Sequence, residues 1–243
     1  MKKYFRILRS LLLLIMTVCV CSGFVVAGKG YEEYQKAIDA ISLEDKVASI
    51  REKDTFTEYE ELPEIYVQAV MAVEDKRFER HIGVDLIAIC RAVRNDIRAG
   101  RFVEGGSTIT QQLAKNMYFS QDKDLVRKAA EVFVALDLER NYSKEEIFEL
   151  YVNAIYFGDG YYDVASASEG YFGKTPEEMS DYECTLLAGI PNAPSVYSPT
   201  KNPALAAKRQ LKVVERMEAC GYFSTEEAET VAETVSLVAG MVQ

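Results

Sequence analysis

The chain has 243 residues, with 28 Lys+Arg against 38 Asp+Glu, one His, five Cys and a formal net charge of −10. Beyond an N-terminal apolar run, that length suits one domain with a sizeable core. The acidity argues against nucleic acid as a partner, and a single histidine excludes a multi-histidine metal site.

Lys2, Lys3, Arg6 and Arg9 precede an almost unbroken apolar run from Leu11 to Ala27, about as short as a spanning helix can be. The basic flank predicts a cytoplasmic tail at 1–9, a transmembrane anchor at 10–28 and everything after it outside. A cleaved signal peptide is the competing reading, because Val25-Val26-Ala27 ends in small residues. With the four flanking cations set aside, 24 Lys+Arg face 38 Asp+Glu, a formal charge of −14. Any anion the exterior part binds must therefore be held by a local basic cluster. Cys19 and Cys21 lie in the apolar run. Cys90, Cys184 and Cys220 form neither a complete disulfide framework nor a zinc site and read as small buried residues.

Residues 29–62 are charged and weakly patterned, with Val47-Ala48-Ser49-Ile50 the one strand-like stretch, and they read as a stalk. From Pro63 the signals turn helical. Ile65 to Val73 reads as a buried helix ending at Glu74, where partial desolvation can lift a carboxylate toward the range of a proton-transfer group. The plain alternative is a solvated helix-end acid in the charged block Glu74-Asp75-Lys76-Arg77-Phe78-Glu79-Arg80-His81-Ile82-Gly83. His81, alone of its kind, is assigned a supporting role that orients its neighbours.

The next block is Gly105-Gly106-Ser107-Thr108-Ile109-Thr110-Gln111-Gln112-Leu113-Ala114-Lys115-Asn116. Its glycines let backbone approach a ligand, and Ser107 or Thr108 can cap a helix. Ser107, Gln111 and Lys115, at i, i+4 and i+8, would share one face. Arg127, Lys128 and Glu131 lie on one side of a helix whose other side is Ala129, Val132, Phe133 and Leu136. They form either a surface ion pair or an anion clamp in which Arg127 offers a fork and Lys128 and Lys115 point charges.

Capping boxes at Ser143–Glu146, Thr175–Glu178, Ser180–Glu183 and Ser224–Glu227 mark four helix starts. Ile147, Leu150 and Ala154 make an apolar stripe that leaves Asn153 off it, and Tyr151 reads as core. Residues 157–162 and 191–203 hold the turn formers. Arg209 with Leu211, Val214 and Met217 reads as a packing helix. A mainly α domain over 63–222 follows, with a C-terminal helix or tail at 223–243.

In their order these blocks resemble the five motifs of the bacterial peptidoglycan glycosyltransferases, glycosyltransferase family 51. The resemblance implies a lysozyme-like glycosyltransferase domain behind one N-terminal transmembrane helix. It implies that Glu74 is the general base and Glu131 a second catalytic carboxylate, positioning the cations or assisting at the reacting centre. Asp75, Phe78, Ser107, Thr108, Gln111 and Gln112 would contact substrate. So would Lys115, Asn116, Arg127, Lys128 and Asn153, with Lys115, Arg127 and Lys128 on a diphosphate. His81, Gly83 and Gly106 would be structural support.

The substrate so implied is lipid II, joined into β-1,4 strands with inversion and release of undecaprenyl diphosphate. A divalent cation, Mg or Mn, could bridge that diphosphate, though nothing in the sequence requires one. The implied setting is the cytoplasmic membrane, with the growing glycan strand and penicillin-binding transpeptidases as partners. The chain ends about twenty residues past the fifth motif, without Ser-x-x-Lys and Lys-Thr-Gly motifs in a further domain, so it resembles the monofunctional members. Ile87, Ile97 and Phe102 are expected to help the anchor hold the membrane. Three departures stand out: the acidity of the exterior part, Glu104 beside the glycine pair, and Asp163 where a glycine is expected. The rivals are a lysozyme-like glycan hydrolase, which would also use two carboxylates, and a non-catalytic wall scaffold. The cation set and the anchor discriminate against both.

Overall fold

The computed structural model describes residues 2–101, 105–120 and 124–241. Phe102, Glu104 and the side chains of Lys2, Lys3 and Arg6 lie outside the described residues. Among those described there is no strand, only helices, turns and one isolated bridge between Gly158 and Tyr161.

The first helix, α1 (Lys2–Ala40), runs 39 residues without interruption, about 58 Å at 1.5 Å per residue. Its Arg9–Ala40 part is long and apolar enough to cross a membrane. The end of α1 lies along α6 (Leu125–Asn141). A Cβ on Gly30 would come within 2.5 Å of the Ala129 Cβ, so only glycine permits this approach. Beyond it the rings of Tyr31 and Tyr34 sit 5.3 and 5.7 Å from that of Phe133, and the Tyr34 hydroxyl donates to Asp137.

The expected stalk is therefore helical. Its strand-like stretch belongs to α2 (Leu43–Arg51), whose N-cap Ser42 accepts from the Asp45 amide at 3.1 Å. Leu43, Val47 and Ile50, at i, i+4 and i+7, are buried in the core. The β-branched Val and Ile suggested a strand, but the cap and the helical spacing prevail.

The core centres on α3 (Glu64–Glu74), which buries Tyr66, Val67, Ala69 and Val70 against α9 (Asp181–Gly189) and α10 (Pro203–Cys220). Burial of each large apolar side chain contributes roughly 1.5–3 kcal/mol. That burial fixes the C-terminal end of α3, where the site forms. α5 (Ile109–Tyr118) packs between α6 and α7 (Lys144–Val152). The amphipathic α4 (Leu86–Ala99) starts at its N-cap Asp85 and ends at Gly100 in the left-handed region, and it buries only Ala92. α11 (Thr225–Met241) covers α10. The boxes at Ser143 and Ser180 cap α7 and α9, Ser224 caps α11, and the box at Thr175 opens a 3₁₀ turn.

Asp163 caps α8 (Val164–Phe172), accepting from the Ser166 amide at 2.7 Å and from the Thr55 hydroxyl at 3.0 Å. An acid there performs a task that glycine could not. Asp163→Ala is expected to lower unfolding stability by about 1–2 kcal/mol, read as a shift in urea midpoint. An unchanged midpoint would show that the cap contributes nothing.

Candidate active site

The first two blocks are tied together under the site by buried polar groups. Asp75, the residue after α3, accepts through Oδ2 from the Ile109 amide at 3.0 Å and is 2.8 Å from His81 Nε2. The Gly83 amide donates to His81 Nδ1 at 3.1 Å, so the imidazole turns its Nε2–H to Asp75. Thr108, N-cap of α5, accepts from the Gln111 amide at 3.1 Å and donates to the Gly83 carbonyl at 2.6 Å. Gly83 has φ +93°, and a Cβ there would stand 3.0 Å from the Ala135 carbonyl. A Cβ on Gly106 would reach 3.2 Å from Ile89 Cα. His81, Gly83 and Gly106 thus all sit in the scaffold.

Several residues expected on substrate are in that scaffold too. Asp75, Thr108 and Gln111 are buried; the bonds of Asp75 and Thr108 join the two blocks, and Gln111 closes the cap within the second. The reason is the start of α5. With Thr108 rather than Ser107 as cap, Gln111 takes the third helical position and its side chain returns to the Thr108 amide at 3.2 Å. Gln112 and Lys115, one turn apart, face the cleft instead. Phe78 is core, under the Lys144 ammonium at 4.5 Å. Asn153 is fully buried, pairing with the Thr57 amide and carbonyl at 3.0 and 2.8 Å. It clamps the segment before α3 and does not line the cleft. Asn116 is half-buried on α5, likewise off the cleft.

The cleft itself, of about 480 Å³, lies at the end of α3, with Ser107, Gln112 and Lys115 on one wall and the α10 residues Arg209, Lys212 and Arg216 on the other. Glu74 is 8% exposed at its floor. Gln112 Nε2 donates to its Oε2 at 2.8 Å, and Arg209 Nη2 approaches its Oε1 at 3.3 Å. Burial nevertheless prevails and raises the Glu74 carboxyl above the ordinary glutamate range, against the lowering by Gln112 and Arg209. Burial likewise lowers the Lys115 ammonium, opposed by Glu131 and reinforced by Arg127 and Lys128.

Glu131 does not line the cleft, and neither do Arg127 and Lys128, which lie behind Ser107 and Lys115. Glu131 is 1% exposed, and its two oxygens take Arg127 Nη1 and, at 2.8 Å, Lys128 Nζ. Lys128 Nζ also donates to Ser107 Oγ at 2.8 Å. Of the two roles expected of Glu131, this geometry fits the positioning of cations. Arg127 Nε is buried without a partner, a donor whose cost a ligand oxygen would relieve.

Arg209, expected in a packing helix, stands in the cleft against the floor acid. Lys212 and Arg216 join it, and Lys76 and Arg91 complete a basic lining in an acidic domain. The signal was in the sequence, since 209, 212 and 216 follow i, i+3, i+7. The apolar stripe of Val213, Val214 and Met217 on the same helix drew the assignment to packing.

The residues present do not fit a divalent cation held by the protein. Among the described residues no three His, Cys, Asp or Glu side chains converge, and Glu74 and Glu131 both face cations.

The site is thus a desolvated carboxylate at the floor of a cation-lined cleft in a helical domain. A family model described as Transglycosylase matches residues 43–218, and the chain belongs to that family. The match begins at the first residue of α2, where the core also begins. The chain is 46% identical over 187 residues to penicillin-binding protein 1F of Bacillus subtilis (strain 168), covering 76% of this chain and 26% of that protein. It is 43% identical over 178 residues to penicillin-binding protein 1A of Aquifex aeolicus (strain VF5), covering 73% and 24%. With penicillin-binding protein 1A of Neisseria gonorrhoeae it shares 44% identity over 162 residues, covering 67% and 20%. The chain thus spans about a quarter or less of the length of these relatives.

Proposed function

We propose that the domain is a peptidoglycan glycosyltransferase that joins lipid II into β-1,4 glycan strands and releases undecaprenyl diphosphate. The observation that carries this reading is the cleft's division of labour, with one buried carboxylate of raised proton affinity on the floor and lysines and arginines around it. Glu74 takes the proton of the acceptor sugar's 4-hydroxyl as that oxygen attacks the donor's anomeric carbon. The bond to the diphosphate breaks on the opposite face, so an α-linked donor yields a β product. Lys115, Arg127 and Lys128 receive the charge growing on the departing diphosphate, which preorganised cations do without reorganisation. Glu131 is a positioning residue that holds Arg127 and Lys128, and Arg209 orients the base. No step needs a metal ion held by the protein.

A hydrolase would place a second carboxylate across the scissile bond, about 5–9.5 Å from the first. Glu131, turned away from the cleft and doubly ion-paired, does not offer it. The test is incubation of detergent-solubilised protein with labelled lipid II. Glycan polymer supports the proposal, cleavage of preformed glycan would favour the hydrolase, and neither product would leave a binding protein.

In this reading α1 crosses the cytoplasmic membrane with its N-terminus inside, the domain works outside, and penicillin-binding transpeptidases cross-link the strands. α4 adds apolar surface, since Leu86, Ile87, Val93 and Ile97 are all more than half exposed. Arg94 and Arg98 on the same helix are exposed as well, the pattern of a helix lying in a membrane surface. A protein beginning near Lys29 is expected to float with anionic vesicles markedly less than the full chain, yet to polymerise lipid II in detergent. Equal flotation would make α1 dispensable for attachment and favour a cleaved signal peptide.

A further inference from the structure

The guanidinium of Arg209, which meets Glu74 at 3.3 Å, is also held from behind. Its Nε donates to the Gly189 carbonyl at the end of α9 at 3.2 Å. A Cβ on Gly189 would stand 3.1 Å from Arg209 Cγ, so the stem lies close against that backbone. The Tyr197 ring covers the guanidinium, with Cζ 5.8 Å from the ring centre, within the reach of a cation–π contact. With Nε and one face so engaged, Nη2 is left pointing at Glu74 Oε1.

Tyr197 belongs to the loop 191–202, which leaves α9 and first lines the cleft with Pro191 and Asn192. One acid on a neighbouring turn ties this irregular loop down. Asp159 accepts through Oδ2 from the hydroxyls of Ser198, at 2.8 Å, and Thr200, and through Oδ1 it pairs with Lys201. These donors hold its carboxyl at about 2, so it stays charged throughout the range in which Glu74 titrates. Asp159 has φ +53°, the one non-glycine residue with positive φ among those described, between Gly158 at +87° and Gly160 at +94°. Left-handed backbone disfavours every side chain and is tolerated best by Asn and Asp. Glycine would fit this turn more easily; what aspartate adds is the carboxylate. A Cβ on Gly158 would stand 2.9 Å from the Pro194 carbonyl oxygen, so turn and loop also touch directly.

Resting on the proposed function, we infer that Tyr197 is a positioning residue for the general base: it fixes the angle at which Arg209 meets Glu74, and Asp159 is the post that holds Tyr197 in place. Around Glu74 stand Gln112 and Lys115 of α5, Arg209 of α10, Asp75 next in the chain and the Tyr151 hydroxyl of α7. Lys76, Arg91, Lys212 and Arg216 line the same cleft. Arg209 is paired with the carboxylate itself. A change in its angle therefore alters both the direction of the base and its affinity for the proton.

The test uses the full chain in detergent micelles, with labelled lipid II for turnover and isotope-labelled glutamate for titration of the Glu74 carboxyl by NMR, its resonance assigned by its loss in Glu74→Gln. Tyr197→Leu keeps bulk and removes the ring face. It should lower kcat by up to roughly a hundredfold, the range of a small misplacement at a reacting group, with KM for lipid II little changed. Because Arg209 lowers the proton affinity of Glu74, loosening it should move the carboxyl titration and the acidic limb of the kcat profile to higher pH. Tyr197→Phe retains the ring and should match the wild type in both. Asp159→Gly relieves the backbone and removes the post, and it should shift both readouts in the direction of Tyr197→Leu. Unchanged titration and kcat in Tyr197→Leu would overturn the inference, as would a lowered melting temperature with both unchanged. The titration needs no substrate, so it separates two failures. Wild-type protein that makes no polymer would remove the functional reading, whereas an unshifted Glu74 titration in Tyr197→Leu would remove the positioning role alone.

Discussion

Glu74→Gln is expected to abolish polymerisation and leave the fold intact. The amide keeps the shape of the side chain and its one oxygen can accept from Arg209, while its NH2 faces Gln112, whose own amide can turn to accept; it has no basic oxygen to take the acceptor proton. General-base contributions are typically about 10²–10⁴-fold, and a loss of at least that size in kcat is the expected result. The stability effect should run the other way. Because burial raises the folded-state pKa of Glu74, the folded protein binds that proton more tightly than the unfolded chain does. Near neutral pH the ionised, desolvated carboxylate is therefore a cost, relieved as pH falls through the folded pKa. Glu74→Gln removes the cost, so its melting temperature near neutral pH should equal or exceed that of the wild type. The same shift predicts that the acidic limb of the wild-type pH–rate profile lies above the ordinary glutamate range near 4.3. Near-normal polymer yield from Glu74→Gln would remove it from the role of base.

The next largest effect is expected at the cations. Lys115 has no carboxylate within ion-pair distance among the described residues, and Arg127 carries the unpartnered buried Nε. Arg127 therefore keeps one donor for a ligand beside its ion pair with Glu131, and Lys115 lies in reach of the same ligand. The diphosphate is charged when bound and more so as it leaves, so Lys115→Ala or Arg127→Ala should raise KM and lower kcat together. Hydrogen bonds between charged groups contribute about 1.5–3 kcal/mol, which corresponds to roughly 10–150-fold in kcat/KM. Arg127→Ala carries a further consequence, since it leaves Glu131 buried with Lys128 as its single cationic partner. Loss of stability should accompany its loss of rate, while Lys115→Ala, relieved of a desolvated ammonium, should melt no lower than the wild type. Unchanged kinetics in both variants would leave Arg127 a structural partner of Glu131 and Lys115 without a part in the reaction.

The sequence was most legible where a local rule acts alone. Capping boxes at Ser143, Ser180 and Ser224 marked helix starts because cap and acid are three residues apart, and apolar spacing marked α3. The bringing together of Glu74, Lys115, Arg127 and Lys128 came from the order of the blocks, not from spacing. What the sequence left open was the direction of polar side chains. Asp75, Gln111 and Asn153 look identical, as letters, to residues that reach for a ligand. Only the position of the Thr108 cap, the packing of α5 between α6 and α7 and the path of the segment before α3 turn them inward to satisfy buried amides. Arg209 failed in the opposite sense, because one helix carried both a packing stripe and a basic stripe and the apolar one was read first. Residues 29–51 were misread for a third reason. Their hydrophobic pattern is sparse, and the helices there are held by partners far along the chain, Phe133 and the core beneath α2.

The unbroken course of α1 has a mechanical consequence. No turn separates the stretch that is long and apolar enough to cross a membrane from the part packed on α6 at Gly30, Tyr31 and Tyr34. Anchor and catalytic domain therefore move as one lever. Helices answer a mismatch with bilayer thickness by tilting, and a tilt of this one swings α6, with the cations it carries, through the same angle. In the proposed membrane setting, the height of the cleft above the lipid headgroups and its slope toward them would be set by the membrane itself, so that the bilayer would act as a fixture in which the active site is mounted.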